Sequence, residues 1–145
     1  MKTQLTIAAS LISITFVASP VIAAEPLEFQ KVMKELGKNM QIITDGISRE
    51  DWELVAKTAL GVAQHPQPPM EEKTRIISLM GSEMPRFKSF DMKTHNAAHE
   101  LELAANEKDG QKIIESFQKV QSSCLNCHQA FRAKFLKYFY GSSGK

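Results

Sequence analysis

The stretch FQKVQSSCLNCHQAFRAKF, residues 117–135, decides how the remainder of the chain is read. Phe117, Val120, Cys124, Cys127, Phe131 and Phe135 recur at intervals of three and four, which on a helix makes one continuous face. The pattern extends to Ile113 and Ile114 before the stretch and to Phe139 after it, and predicts a helix over about residues 110–139. Within that face lies a Cys-x-x-Cys-His motif, Cys124, Cys127 and His128. Positions i, i+3 and i+4 project within an arc of about 100°. A flat macrocycle suits that arrangement, because two thiols can form thioethers with the two vinyl groups of a haem while the adjacent imidazole reaches the iron. Cys124 and Cys127 are therefore the expected attachment points of one haem c per chain, and His128 its proximal axial ligand. Phe117, Val120, Phe131 and Phe135 on the same face would keep water away from it.

Working outward, the remaining residues also read as helical, with no period-2 strand and no internal repeat. Phe29, Val32, Met33, Leu36, Met40, Ile43 and Ile47 form one apolar stripe and predict a first helix over about 26–44, ended by Asp45-Gly46. Ser48 with Asp51 resembles a capping box, opening a second helix that carries Trp52, Val55, Ala56, Ala59, Leu60 and Ala63 and stops before Pro66. A short helix over 71–80 is possible, with Gly81 and Pro85 interrupting the pattern. A third long helix is expected from about Asp91 to Asn106, with Ala98, Leu101, Ala105 and His95 inward, followed by the turn Lys108-Asp109-Gly110. Short connections favour antiparallel neighbours, so the expected fold is an all-α, four-helix up-and-down antiparallel bundle around a covalently bound haem.

The 145 residues carry 18 Lys and Arg against 16 Asp and Glu, a net charge of +2. That balance argues against a nucleic-acid partner, whose phosphates call for a larger basic excess. Lys2, the uncharged stretch Leu5 to Ala18, Pro20 and the small residues Ala23-Ala24 have the order of an export signal, too short to span a bilayer. Cleavage after Ala23, or after Ala24, is expected. Residues 1–23 are thus read as a cleaved signal peptide and 24–145 as one domain, soluble and periplasmic, with 140–145 as a flexible tail. No later stretch is apolar for long enough to span a membrane, and no nucleophile and base are placed together, so no enzyme is expected.

The cysteine pair has two rival readings. A redox-active disulfide is expected beside a βαβ pattern, which this sequence lacks. A structural zinc site could take Cys124 and Cys127 with His95 and His99, but zinc leaves His128 without a role. His95 and His99 read more simply as one partly buried and one solvated histidine on the third long helix. His65, beside Pro66, carries no signal.

With these residues in view, the sequence resembles the cytochrome c′ family of class II c-type cytochromes. The resemblance rests on FQKVQSSCLNCHQAFRAKF, where the haem motif lies near the C-terminus, and more weakly on VMKELGKNM, residues 32–40. The family divides by the distal position on the first helix. Methionine there implies a six-coordinate, low-spin electron carrier, and a non-ligating group implies five-coordinate iron that binds nitric oxide or carbon monoxide. The matching position, three before Leu36-Gly37, is Met33, so the resemblance implies Met33 as distal ligand. Helix geometry by itself leaves a tie: His128 lies ~17 Å from the end of its helix, level with about position 37 of the first, and Met33 and Met40 bracket that level on one face. Met40 is the fallback. The resemblance also implies a haem-side role for Arg132, which could pair with a propionate or remain a solvated surface arginine. Where many relatives have arginine near a propionate, this chain has Phe29, with Lys31 or Lys34 as substitutes. The expected activity is one-electron transfer with unidentified redox partner proteins, and homodimers through the first two helices occur among relatives. Gas binding is the alternative function, and a structural zinc module the remote one.

Overall fold

The computed structural model describes residues 27–141. The signal segment 1–23 and residues 142–145 of the tail lie outside them. Four long helices make the bundle: α1 (Glu28–Ser48), α2 (Trp52–Ala63), α4 (Met84–Asn106) and α5 (Gly110–Tyr140). A shorter α3 (Met70–Met80) and a 3-10 turn (Gly81–Glu83) lie in the connection between α2 and α4. No strand is present among the described residues, as the absence of period-2 alternation predicts. The connections α1–α2 and α4–α5 are three-residue turns, each of which uses one left-handed residue, Glu50 or Lys108 (both φ 56°).

Helix ends follow local chemistry, and three differ from the sequence reading. Asp45-Gly46 does not end α1, which continues to Ser48. Gly46 is buried, and a Cβ there would stand 2.9 Å from Val55 Cγ2, so the glycine serves the close approach of α1 to α2 rather than a turn. Nor does Ser48 cap α2: its hydroxyl donates back to Thr44 O within α1. The cap is Asp51, whose carboxylate accepts from Leu54 N at 3.1 Å. Replacing Asp51 with Ala should cost about 1 kcal/mol, the usual worth of such a cap. A urea midpoint equal to that of the parent protein would show that the cap is redundant.

The helix α4 begins seven residues earlier than Asp91 because Pro85 sits in its first turn, where a missing N–H costs nothing. Opposite it in sequence, Asp109 caps α5 by accepting from Lys112 N. Tyr140 belongs to α5 rather than to a loose tail: its hydroxyl donates to Gln30 Oε1 at 3.1 Å and accepts from Leu27 N.

The interior has two parts of different character. In one, small and branched residues let backbones approach closely: Val55, Ala59 and Val62 of α2, Ala98, Leu101 and Ala105 of α4, and Ile113 and Val120 of α5. The other is aromatic and gathers Phe29, Phe87, Phe90, Phe131, Phe135 and Phe139 around Ile76 and Met80 of α3. The helix α4 packs on both α2 and α5, and α1 packs on α2, but the α1 and α5 backbones do not close on each other. Side chains join those two helices instead, chiefly Phe29 stacked on Phe135 with centroids 5.3 Å apart. The start of α1 is capped from α3, where the Glu72 carboxylate accepts from Glu28 N at 2.7 Å and Phe29 N at 3.0 Å. Those are two of the amide groups that a helix start leaves without an internal partner.

Candidate functional site: a cavity between the first and last helices

The separation of α1 from α5 leaves a cavity of about 460 Å³, within the range of cofactor sites. Helix α1 contributes Met33, Leu36, Gly37 and Met40, and α5 contributes Cys124, Cys127, His128, Phe131, Arg132 and Phe135. Phe87, Asp91 and Thr94 of α4 and Val62 and His65 at the end of α2 complete the wall. Of the residues that the sequence singled out for haem, Cys124, Cys127, His128, Phe131, Arg132 and Phe135 meet both candidate methionines at this one place, whereas Phe117 and Val120 do not line the cavity and belong to the aliphatic region instead. The tie between Met33 and Met40 persists in this geometry, since both are half-buried in the same wall.

The attachment motif spans the junction of the two interior regions, Cys124 packing against the aliphatic one and Cys127 against the aromatic one. Burial raises the pKa of both thiols; that of Cys127, raised further by the Asp91 charge and by Cys124, is pushed up to about 11. Protonated, partly buried thiols do not suit a redox-active pair, whose thiolate is stabilised. His128 is exposed as a whole, yet partial burial of its ring, and after that the Arg132 guanidinium, hold its pKa below the ordinary imidazole value. Both effects favour the neutral ring, the form that ligates metal.

Phe29, which stands where an arginine was the alternative, packs its ring among Phe87 and Phe135. Of the two lysines considered in its place, Lys34 lines the cavity, whereas Lys31 pairs with Glu28 at 2.6 Å. Arg132 and Lys34 are thus the Arg and Lys side chains that line the cavity.

The Cys2His2 zinc set is not assembled. His99 is on an exposed face and meets Glu102 at 3.1 Å, while His95 bonds to Ala63 O. Among the described residues, His95 instead joins His65 and Asp91. His65, which carried no sequence signal, has a side chain only 8% exposed and lies 3.5 Å from Asp91. The hydrogen bond to Asp91 raises the His65 pKa, and its counterpart lowers that of Asp91. The available clue was the spacing of Asp91 and His95, four apart and hence on one helix face. Nothing local marked His65 as their neighbour.

An apolar cavity of cofactor size, two thiols and a neutral imidazole on one helix face, and facing thioethers on another fit a covalently bound haem. Fold and site together are those expected of a helical-bundle haem protein of the c type. The sequence model of cytochrome c′ matches residues 27–132, which covers all but the last turns of the described bundle. The chain belongs to the cytochrome c′ family, and that membership implies a covalently bound c-type haem. No curated protein sequence matches the chain at a significant level.

Proposed function

We propose that this chain is an exported, periplasmic one-electron carrier, with Cys124 and Cys127 as thioether attachment points and His128 and Met33 as axial ligands of one haem. The observation that carries the reading is that Met33 and His128 line one apolar cavity from two helices whose backbones stay apart. Bound haem supplies a one-electron ferric/ferrous couple. The chain's part is to hold its ligands still, so that little reorganises between oxidation states. His128 contributes a neutral imidazole, and Met33 a thioether, which raises the potential relative to a second imidazole. Phe87, Phe131 and Phe135 keep water from the wall, and Arg132 and Lys34 would hold the propionates.

No substrate turnover is part of this reading; the partners are other redox proteins, met through small, transient contacts. Periplasmic location agrees with the family and with the export signal read from residues 1–23. No described helix is long and apolar enough to cross a membrane. Exposing the ferrous protein to carbon monoxide tests the proposal optically. Slow or partial change is expected, because a protein ligand occupies the distal position. Immediate and complete conversion to the carbon monoxide form would favour gas binding and overturn the carrier reading.

A further inference from the structure

His65, Asp91 and His95 converge where the last turn of α2 meets the middle of α4. His65 Nε2 lies 3.5 Å from Asp91 Oδ1, and His95 Nε2 lies 3.5 Å from Asp91 Oδ2. The two imidazole rings are 4.7 Å apart. The other nitrogen of each ring is already engaged: His65 Nδ1 at 3.2 Å from Pro66 O, and His95 Nδ1 with Ala63 O. Ala63 O is one of the carbonyls that the end of α2 leaves without an intrahelical partner. A carbonyl only accepts, so each Nδ1 must carry the proton, which leaves each neutral ring an Nε2 lone pair facing a carboxylate. Lone pairs turned toward a carboxylate repel it unless a proton, a water or a metal cation lies between them.

We propose that His65, Asp91 and His95 form a binding site for a divalent transition-metal cation of the zinc class. The donors are two imidazole nitrogens and one carboxylate, with the fourth position open. Zinc bonds to nitrogen and oxygen of about 2.0–2.2 Å place tetrahedral ligands about 3.3–3.5 Å apart; His65 Nε2 has that spacing to Asp91 Oδ1 and His95 Nε2 to Asp91 Oδ2, so a turn of the carboxylate is needed for one oxygen to serve both. All three donor atoms lie within 4.8 Å of one another, so a small side-chain adjustment closes the third edge. The Nδ1–H bonds to backbone carbonyls are the outer contacts that fix ring orientation in histidine metal sites. Two imidazoles and one oxygen suit zinc, copper(II) or nickel(II) rather than calcium or magnesium. None of the three residues is one through which haem is proposed to be held, and Cys127 and His128 do not join the cluster. The cation would tie the end of α2 to α4 in the wall of the haem cavity.

The test is a calorimetric titration of haem-loaded protein with zinc chloride after chelator treatment, with bound zinc counted by atomic emission. One saturable zinc per chain is expected. His65→Gln and Asp91→Asn should each weaken it at least ~10-fold, whereas His99→Gln, altering an exposed histidine paired with Glu102, should not. Haem content is read optically in the same samples, so a failure to hold haem is distinguished from a failure to hold zinc. Because the variants could lose their fold, the ¹⁵N-histidine spectrum of the unaltered ferrous protein is recorded during the titration. The Nε2 resonances of His65 and His95 should shift together while that of His99 stays. Absence of saturable binding would show that a proton alone occupies the cluster and would overturn the proposal. So would equal affinity in folded His65→Gln and Asp91→Asn proteins, or zinc-induced shifts confined to other histidines.

Discussion

Replacing Met33 with Leu is expected to convert the ferric haem from low spin to high spin, read from the visible bands and from electron paramagnetic resonance. Leucine fills nearly the same volume as methionine, and such exchanges usually cost less than about 1.5 kcal/mol, so the fold should persist. What is lost is the thioether sulfur, the only atom of that side chain able to ligate iron. The matching control is Met40→Leu, seven residues on and in the same cavity wall, which should leave the spin state unchanged. If Met40→Leu changes the spin state and Met33→Leu does not, the distal ligand is Met40. A low-spin spectrum in both variants would remove methionine ligation altogether.

Leu101→Ala is expected to have the largest effect on stability. Leu101 is fully buried in α4 at the centre of the aliphatic region and does not line the cavity. Removing a fully buried leucine side chain costs about 2–5 kcal/mol, the transfer free energy plus the cavity left behind. For a domain of this size the melting midpoint should fall by on the order of 10 °C. The spin state of the protein that remains folded should not change, since Leu101 does not line the cavity and neither Met33 nor His128 is among the residues packed on the aliphatic region. A fall of only a degree or two would mean that α2 and α5 collapse onto the smaller side chain.

The two variants probe features that were unequally legible in the sequence. The helix α5 was readable almost residue by residue, because its apolar interval is regular and its motif chemically specific; the expected range 110–139 ends one residue short of Tyr140. Glycine and proline misled at other ends, since each has two uses. Gly46 serves close packing where a turn was expected, and Pro85 opens a helix where an interruption was expected. The convergence of Met33, Met40, Cys124, Cys127 and His128 follows from faces and lengths. The position of His65 does not: it depends on how the chain leaves α2 and passes Pro66, a tertiary matter that no local interval encodes. Glu72 capping α1 from another helix is illegible for the same reason.

The parting of the α1 and α5 backbones gives the protein a division of labour. The contacts that hold the chain together lie mostly among α2, α4 and α5, while Met33, the residue proposed as distal iron ligand, rides on α1, joined to α5 across the cavity chiefly by side chains. Substitutions at cavity-lining positions of α1 such as Met33 are therefore expected to retune the metal at little risk to the scaffold, unlike those at its buried Ile43 and Gly46. On the proposed ligation, such a bundle is modular: exchanging the Met33 side chain alone would pass one architecture between carrying electrons and trapping small gases.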